Sequence, residues 1–100
     1  MVSYMSVDHS KVRIYFAHAT CTYGCPIEKV QKRQIRDIFA KCQIINPRRF
    51  EDCPEKRREG MSFCYRQIDT CDMLVFARLL GKVTSGVGAE IEHALSTGKN

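Results

Sequence analysis

One hundred residues, 44% hydrophobic and 27% charged, make a single domain with the balance of an ordinary globular chain. A mean hydropathy of −0.30 and the lack of any apolar run near the roughly 18 residues of a membrane span argue against a helical membrane protein and against a disordered tail. Residues 1–50 hold nine Lys/Arg against three acids and residues 51–100 hold seven against eight, so the net charge of +5 belongs to the first half. The basic residues concentrate between Lys29 and Arg58. Two readings of them are open: a solvated basic face, or a surface for a phosphate-bearing partner.

The first ten residues lack the basic start and apolar core of a signal peptide and read as a polar leader to one domain spanning 11–100. Lys11 to Ala17 alternates and is rich in β-formers, which predicts the first strand. A polar loop from His18 to Gly24 leads to Pro26 at a helix start, with Glu28 in the first turn. Ile27, Val30, Ile35, Ile38 and Phe39 recur at helical spacing and are expected to be the buried face of that helix. Cys42 to Ile45 predicts a short second strand stopped by Asn46-Pro47, followed by a loop from Arg48 to Glu55. The spacing then predicts a second helix from about Glu55 to Thr70, burying Met61, Cys64, Tyr65, Ile68 and Cys71. Asp72 to Ala77 reads as a strand buried on both faces of a parallel sheet. After a loop from Leu79 to Thr84, Ser85 opens a last helix, expected to bury Val87, Ile91, Ala94 and Leu95 and to stop near Gly98.

Alternating strands and helices with short connections argue an open α/β fold with a parallel sheet. The chain ends at Asn100, where a fourth strand is expected after the last helix. Either the chain is cut short or the sheet has three strands.

Six cysteines without an export signal point to a reducing cytoplasm and mostly buried thiols, not to a disulfide framework. The run His18-x-x-Cys21-x-x-x-Cys25 holds zinc-type ligands, but its spacing fits none of the usual paired patterns and no second pair follows. No metal or organic cofactor is expected. Cys25 at a helix start has two readings, a reactive thiol and an inert one.

In open parallel sheets, ligands bind beyond the carboxyl ends of the strands. That rule selects the loop after the first strand (His18, Thr20), the turn Asn46-Pro47-Arg48-Arg49, the start of the second helix (Arg57, Arg58, Met61) and the junction from Lys82 to Glu90. Asp72 begins a strand, so it is expected at the opposite end as a structural residue. The junction Thr84-Ser85-Gly86-Val87-Gly88 puts hydroxyls and glycines at a helix start, where exposed N–H groups and the helix dipole favour an anion. It is neither a P-loop nor a dinucleotide fingerprint. Glu90 lies about one turn in, open to two readings: an acidic first-turn residue or a group facing the same pocket. The side chains of Glu92 and His93 are expected to point away.

Taken in order, Arg13-Ile-Tyr-Phe-Ala-His18, Ile45-Asn-Pro47, Gly60-Met61, Cys71-Asp-Met-Leu-Val-Phe76 and Ser85-Gly-Val-Gly-Ala-Glu-Ile-Glu-His-Ala94 resemble the nucleoside 2-deoxyribosyltransferase family. The loop from Thr84 to Glu90 looks especially like members that release a free base from deoxynucleoside 5′-monophosphates. The resemblance implies a three-layer, flavodoxin-like or Rossmannoid sheet. It also implies a glutamate nucleophile attacking the sugar C1′, matched by Glu90, and an orienting tyrosine, matched by Tyr15. Thr84, Ser85, Gly86 and Gly88 match the loop that holds the 5′ end of the nucleotide, and His18 and Thr20 fall in the loop that helps enclose sugar and phosphate. Asn46, Arg58 and Met61 complete the expected substrate-binding set. A tyrosine hydroxyl beside Glu90 is expected to keep it ionised, since a hydrogen bond to the charged form lowers a carboxyl pKa.

The family usually carries an acid in the second helix that assists at the base, whereas the comparable position here is near Cys64, with no acid. It often completes its site from a neighbouring subunit, which implies a homodimer or larger assembly. The expected partner is therefore a nucleoside or nucleotide, with no membrane. A binding module that has lost turnover is the first alternative. Nucleic-acid binding comes third, because the aromatics do not interleave with the basic run as a stacking platform requires.

Overall fold

Strand β1, Arg13–Ala17, is the centre of the fold because its alternation feeds two cores at once. Tyr15 and Ala17 join one cluster with Ile45, Cys64, Ile68, Leu74, Val87 and Ala94. Ile14 and Phe16 join another with Ile35, Cys42 and Ile44. Burying each such side chain is worth about 1.5–3 kcal/mol, so a strand buried on both faces is the anchor of the domain. The structure is a computed structural model and describes residues 12–99. The expected leader, and Lys11 of the expected first strand, lie outside the described residues.

The chain is a small α/β domain with a three-stranded parallel sheet. Strand β2, Gln43–Ile45, pairs with one edge of β1, and strand β3, Met73–Phe76, pairs with the other. The order is β2-β1-β3, with Tyr15 level with both Ile45 and Leu74. Among the described residues, four α-helices connect and follow the strands: α1, Pro26–Ile38; α2, Pro54–Glu59; α3, Met61–Asp69; and α4, Ser85–Ser96. Short 3₁₀ turns occupy Thr20–Thr22 and Pro47–Phe50, inside stretches expected to be loops. No helix among the described residues is long and apolar enough to cross a membrane.

The amino end of the sheet is closed by Asp72. Its carboxylate accepts the Arg13 N–H at 2.8 Å, and its own N–H donates to the Arg13 carbonyl at 2.8 Å. The Arg13 guanidinium reaches across to the Thr70 carbonyl and the Gln43 side chain, each at 3.2 Å. Asp72 thus has the structural place its position in the strand implied.

Four expectations are corrected. The second helix is two helices: Gly60, with φ +59° and ψ −130°, caps α2 and starts α3, a backbone state that residues with a Cβ adopt only under strain. Strand β3 is not buried on both faces; among the described residues it is an edge strand, and Phe76 is 41% exposed. On α1 the residues facing inward are Ile35 and Glu28, leaving Ile38 69% exposed and Ile27 and Val30 half-exposed. On α4 the inner stripe is Val87, Glu90 and Ala94, and Leu95 is 68% exposed. Apolar spacing marks a stripe, but only the neighbours present decide which side of it is covered. Of the six free thiols, Cys42, Cys64 and Cys71 are buried, while Cys21 and Cys25 are exposed, so burial holds for half of them.

Candidate functional site

The chain passes from β1 to β2 on one side and reaches β3 on the other, so the carboxyl end of β1 is a point where the winding reverses. Crevices open at such points. Here a cleft of about 260 Å³ lies between the loop after β1, the helices α2 and α3, and the amino end of α4. His18, Thr20 and Tyr23 line it from the loop, Lys56, Met61 and Cys64 from the helices, and Thr84 to Val87 with Glu90 from α4. A groove of about 390 Å³ on the other face, between α1 and β3, is mainly apolar and carries Arg78 as its charged residue. The reactive groups converge in the smaller cleft.

Glu90 is the acid of that cleft, and it is 6% exposed. It occupies a core position of α4, one turn after Val87 and one before Ala94, and this aims it at the sheet. The Tyr15 hydroxyl, fully buried at mid-β1, donates to Glu90 Oε2. Burial pushes the Glu90 carboxyl above its ordinary value of 4.5; the Tyr15 bond and the Lys56 charge oppose this without cancelling it. The Tyr15 hydrogen bond lowers this carboxyl as expected, but desolvation is larger and the net direction is upward. Tyr15 in turn is pushed far up, by burial first and then by the Glu90 charge, so it stays a phenol and a donor. Cys64 also bonds Tyr15, and burial raises its thiol.

The amino end of α4 borders the same space. The Thr84 hydroxyl accepts the Val87 N–H at 3.5 Å, and the Thr84 carbonyl accepts from Gly88 N–H at 2.8 Å. The N–H groups of Ser85 and Gly86 precede the first helical hydrogen bond and have no partner within the helix. With the dipole of a 12-residue helix behind them, they present a positive rim to the cleft.

A second buried acid supports the loop. Glu28, 2% exposed, accepts from His18 Nε2 at 2.8 Å and from Arg48 Nη1 at 3.2 Å. Its burial raises the carboxyl, but hydrogen bonds from His18, Asn46 and the Gly24 N–H outweigh that and hold it below 4.5. His18 Nδ1 faces the Phe16 carbonyl at 2.9 Å, so that nitrogen donates. Its Nε2 lies against Glu28, so the ring bridges the Phe16 carbonyl and the buried carboxyl beneath the loop. The imidazole stacks on Phe16 at 3.9 Å and packs against Tyr23 at 4.8 Å. Both ring nitrogens of His18 are occupied, and Cys25 Sγ donates to the Cys21 carbonyl at 3.7 Å. Among the described residues no three His, Cys, Asp or Glu side chains gather as a metal site.

The structure brings together Glu90, His18, Thr20, Met61, Thr84, Ser85 and Gly86, with Tyr15 directly behind Glu90. Three other sequence-predicted residues stand outside the lining. Asn46 is buried and accepts the Arg48 N–H at 3.1 Å; Arg58 is exposed on α2; Gly88 is one turn into α4, against Val83. His93 points away, stacked on Tyr65 at 4.4 Å and bound to Asp69 at 2.8 Å. Sequence reasoning missed Tyr23 and Lys56 in the cleft and Glu28 beneath the loop. Glu28 had a signal: it stands seven residues before Ile35, on the one face of α1 that is buried. Lys56 had none, since it depends on where Gly60 breaks the helix.

No protein-family model, curated protein or solved structure matches this chain.

Proposed function

We propose that the chain cleaves or transfers the N-glycosidic bond of a deoxynucleoside or its 5′-monophosphate, with Glu90 as the nucleophile. The observation that carries this is the buried Tyr15–Glu90 hydrogen bond on the wall of a cleft whose rim is the amino end of α4. In this reading the Ser85 and Gly86 N–H groups and the Thr84 and Ser85 hydroxyls hold the 5′ end, and Tyr23 and His18 wall the sugar. The Glu90 carboxylate attacks C1′ through an oxocarbenium-like state. The C1′–N bond breaks and the base leaves with the bonding pair and takes up a proton; water or a second base then displaces Glu90. Tyr15 fixes the carboxylate while leaving its other oxygen to react. No metal or organic cofactor takes part.

The same reading makes the sheet a flavodoxin-like, three-layer Rossmannoid one, supported by the β2-β1-β3 order and by a core on each face. It places the protein in the cytoplasm as a homodimer or larger assembly. Exposed Ile38, Phe76 and Leu95 support a second copy as the partner. A binding module without turnover is favoured by one observation: Cys64, with a thiol kept protonated by burial, stands where an acid would assist the leaving base.

The deciding experiment is chromatography of deoxynucleosides and their 5′-monophosphates incubated with the wild type and with Glu90→Ala. Free base from the wild type alone is expected. A folded wild type that releases no base yet binds nucleotide would replace the enzyme reading by the binding module.

A further inference from the structure

A second cleft of about 250 Å³ lies beside β2, and none of its lining residues belongs to the Glu90 cleft. Lys32 and Arg36 border it from successive turns of α1, a rise of about 6 Å. Arg48 and Arg49 face them from the 3₁₀ turn after β2, whose start is fixed by the Asn46 side chain on the Arg48 N–H at 3.1 Å. No carboxylate lines this cleft. Arg48 spends Nη1 on Glu28 at 3.2 Å and keeps its remaining N–H groups. Among the ion pairs of the described residues, none involves Lys32, Arg36 or Arg49.

Arg48 is matched by Glu28, but Lys32, Arg36 and Arg49 converge on the same concave volume with no ion pair among the described residues, and an anion relieves their mutual repulsion. We infer that this cleft binds the phosphate group of a small molecule, either a phosphomonoester or a condensed phosphate. Three guanidinium forks match tetrahedral oxyanions with paired N–H donors, and Lys32 adds a point charge. The size selects the ligand class. At about 250 Å³ the cleft holds one or two phosphate groups but lies below the roughly 300–1,000 Å³ of sites that enclose a whole drug-sized molecule. The cations span a single helical turn, whereas a polymer backbone requires a longer row of contacts.

The test is calorimetric titration of the full chain with sodium pyrophosphate and with glycerol 2-phosphate, at constant ionic strength set with chloride. Saturable binding of at least one probe is expected, and the tighter probe identifies the source as condensed phosphate or phosphomonoester. Arg36→Gln with Arg49→Gln should weaken binding by at least about tenfold, because each lost charged hydrogen bond is worth about 1.5–3 kcal/mol. Both side chains are exposed, so the double variant should melt like the wild type. Neither Arg36 nor Arg49 lines the proposed nucleotide cleft, so the loss in this double variant separates the two sites. The inference is overturned if neither probe saturates, or if the double variant binds as tightly as the wild type. It is also overturned if only an oligonucleotide binds, with a steep salt dependence.

Discussion

Tyr15→Phe isolates the contact on which the proposed chemistry depends. The phenol ring is fully buried, and its hydroxyl meets Glu90, which is 6% exposed, so the substitution removes one oxygen and little packing. A hydrogen bond to a charged group is worth about 1.5–3 kcal/mol, which is roughly a ten- to hundredfold change in the ionisation of Glu90. The sign follows from the native state. Burial already raises this carboxyl above 4.5, so the folded protein binds the proton more tightly than the unfolded chain, and stability falls as pH rises from 4.5 through the raised value. Loss of the hydroxyl removes a force that favours the charged form and widens that interval upward. Urea titrations at pH 5 and pH 8 should therefore show the variant losing more stability, relative to wild type, at the higher pH. In the base-release assay, the acid limb of the kcat/KM profile should move up by about one pH unit or more, as a tenfold change in ionisation requires. Equal destabilisation at both pH values, with an unmoved acid limb, would refute the idea that Tyr15 acts through the charge on Glu90.

Glu28→Gln keeps the shape of the loop support but strands His18 and Arg48 without their anion, and should cost about 3 kcal/mol in urea denaturation at pH 7. Because Glu28 is held below 4.5, its contribution is present above 4.5 and is lost as pH falls through the lowered value; the gap between wild type and variant should close in acid. Gly60→Ala puts a Cβ on a residue at φ +59°, where nothing lies within 4 Å of it, so the cost is backbone strain alone, about 1–3 kcal/mol by thermal melting. A neutral result there would mean that α2 and α3 merge into one helix at no cost.

How much of the fold could be read from the chain depended on how local its cause was. Alternation in Arg13–Ala17, Pro26 at the start of α1 and the hydroxyl at Thr84 each act within a few residues, and the elements they mark lie where the pattern put them. Whether a stripe is covered is not a local matter. Ile38 and Leu95 sit at helical spacing with buried neighbours, yet each is mostly exposed, and Phe76 lies on β3, whose outer edge has no partner strand among the described residues. Gly60 was visible as a glycine within a helical pattern. That it ends one helix and begins another depends on its φ, which no spacing rule supplies.

The two buried glutamates show why the site was only half legible. A carboxylate at a core position of an amphipathic stripe is costly unless something compensates it, so its presence there is itself a signal. Glu90 gave that signal twice, through its place between Val87 and Ala94 and through the glycine-rich junction before it. Its partner Tyr15 lies 75 residues away and was reached through the ordered set of segments, not through any local rule. Glu28 gave the signal once, and the residues that compensate it, His18 and Arg48, come from loops on either side of α1. The compensation also differs in kind. Glu28 is matched by the Arg48 guanidinium and by hydrogen bonds from His18, Asn46 and the Gly24 N–H that hold its carboxyl low, which suits a structural clamp. Glu90 is given one neutral donor and a more remote lysine, so its charge is only partly compensated. A carboxylate left in that condition gains most from an electron-poor centre brought against it. That is why the proposed nucleophile is Glu90 and not Glu28.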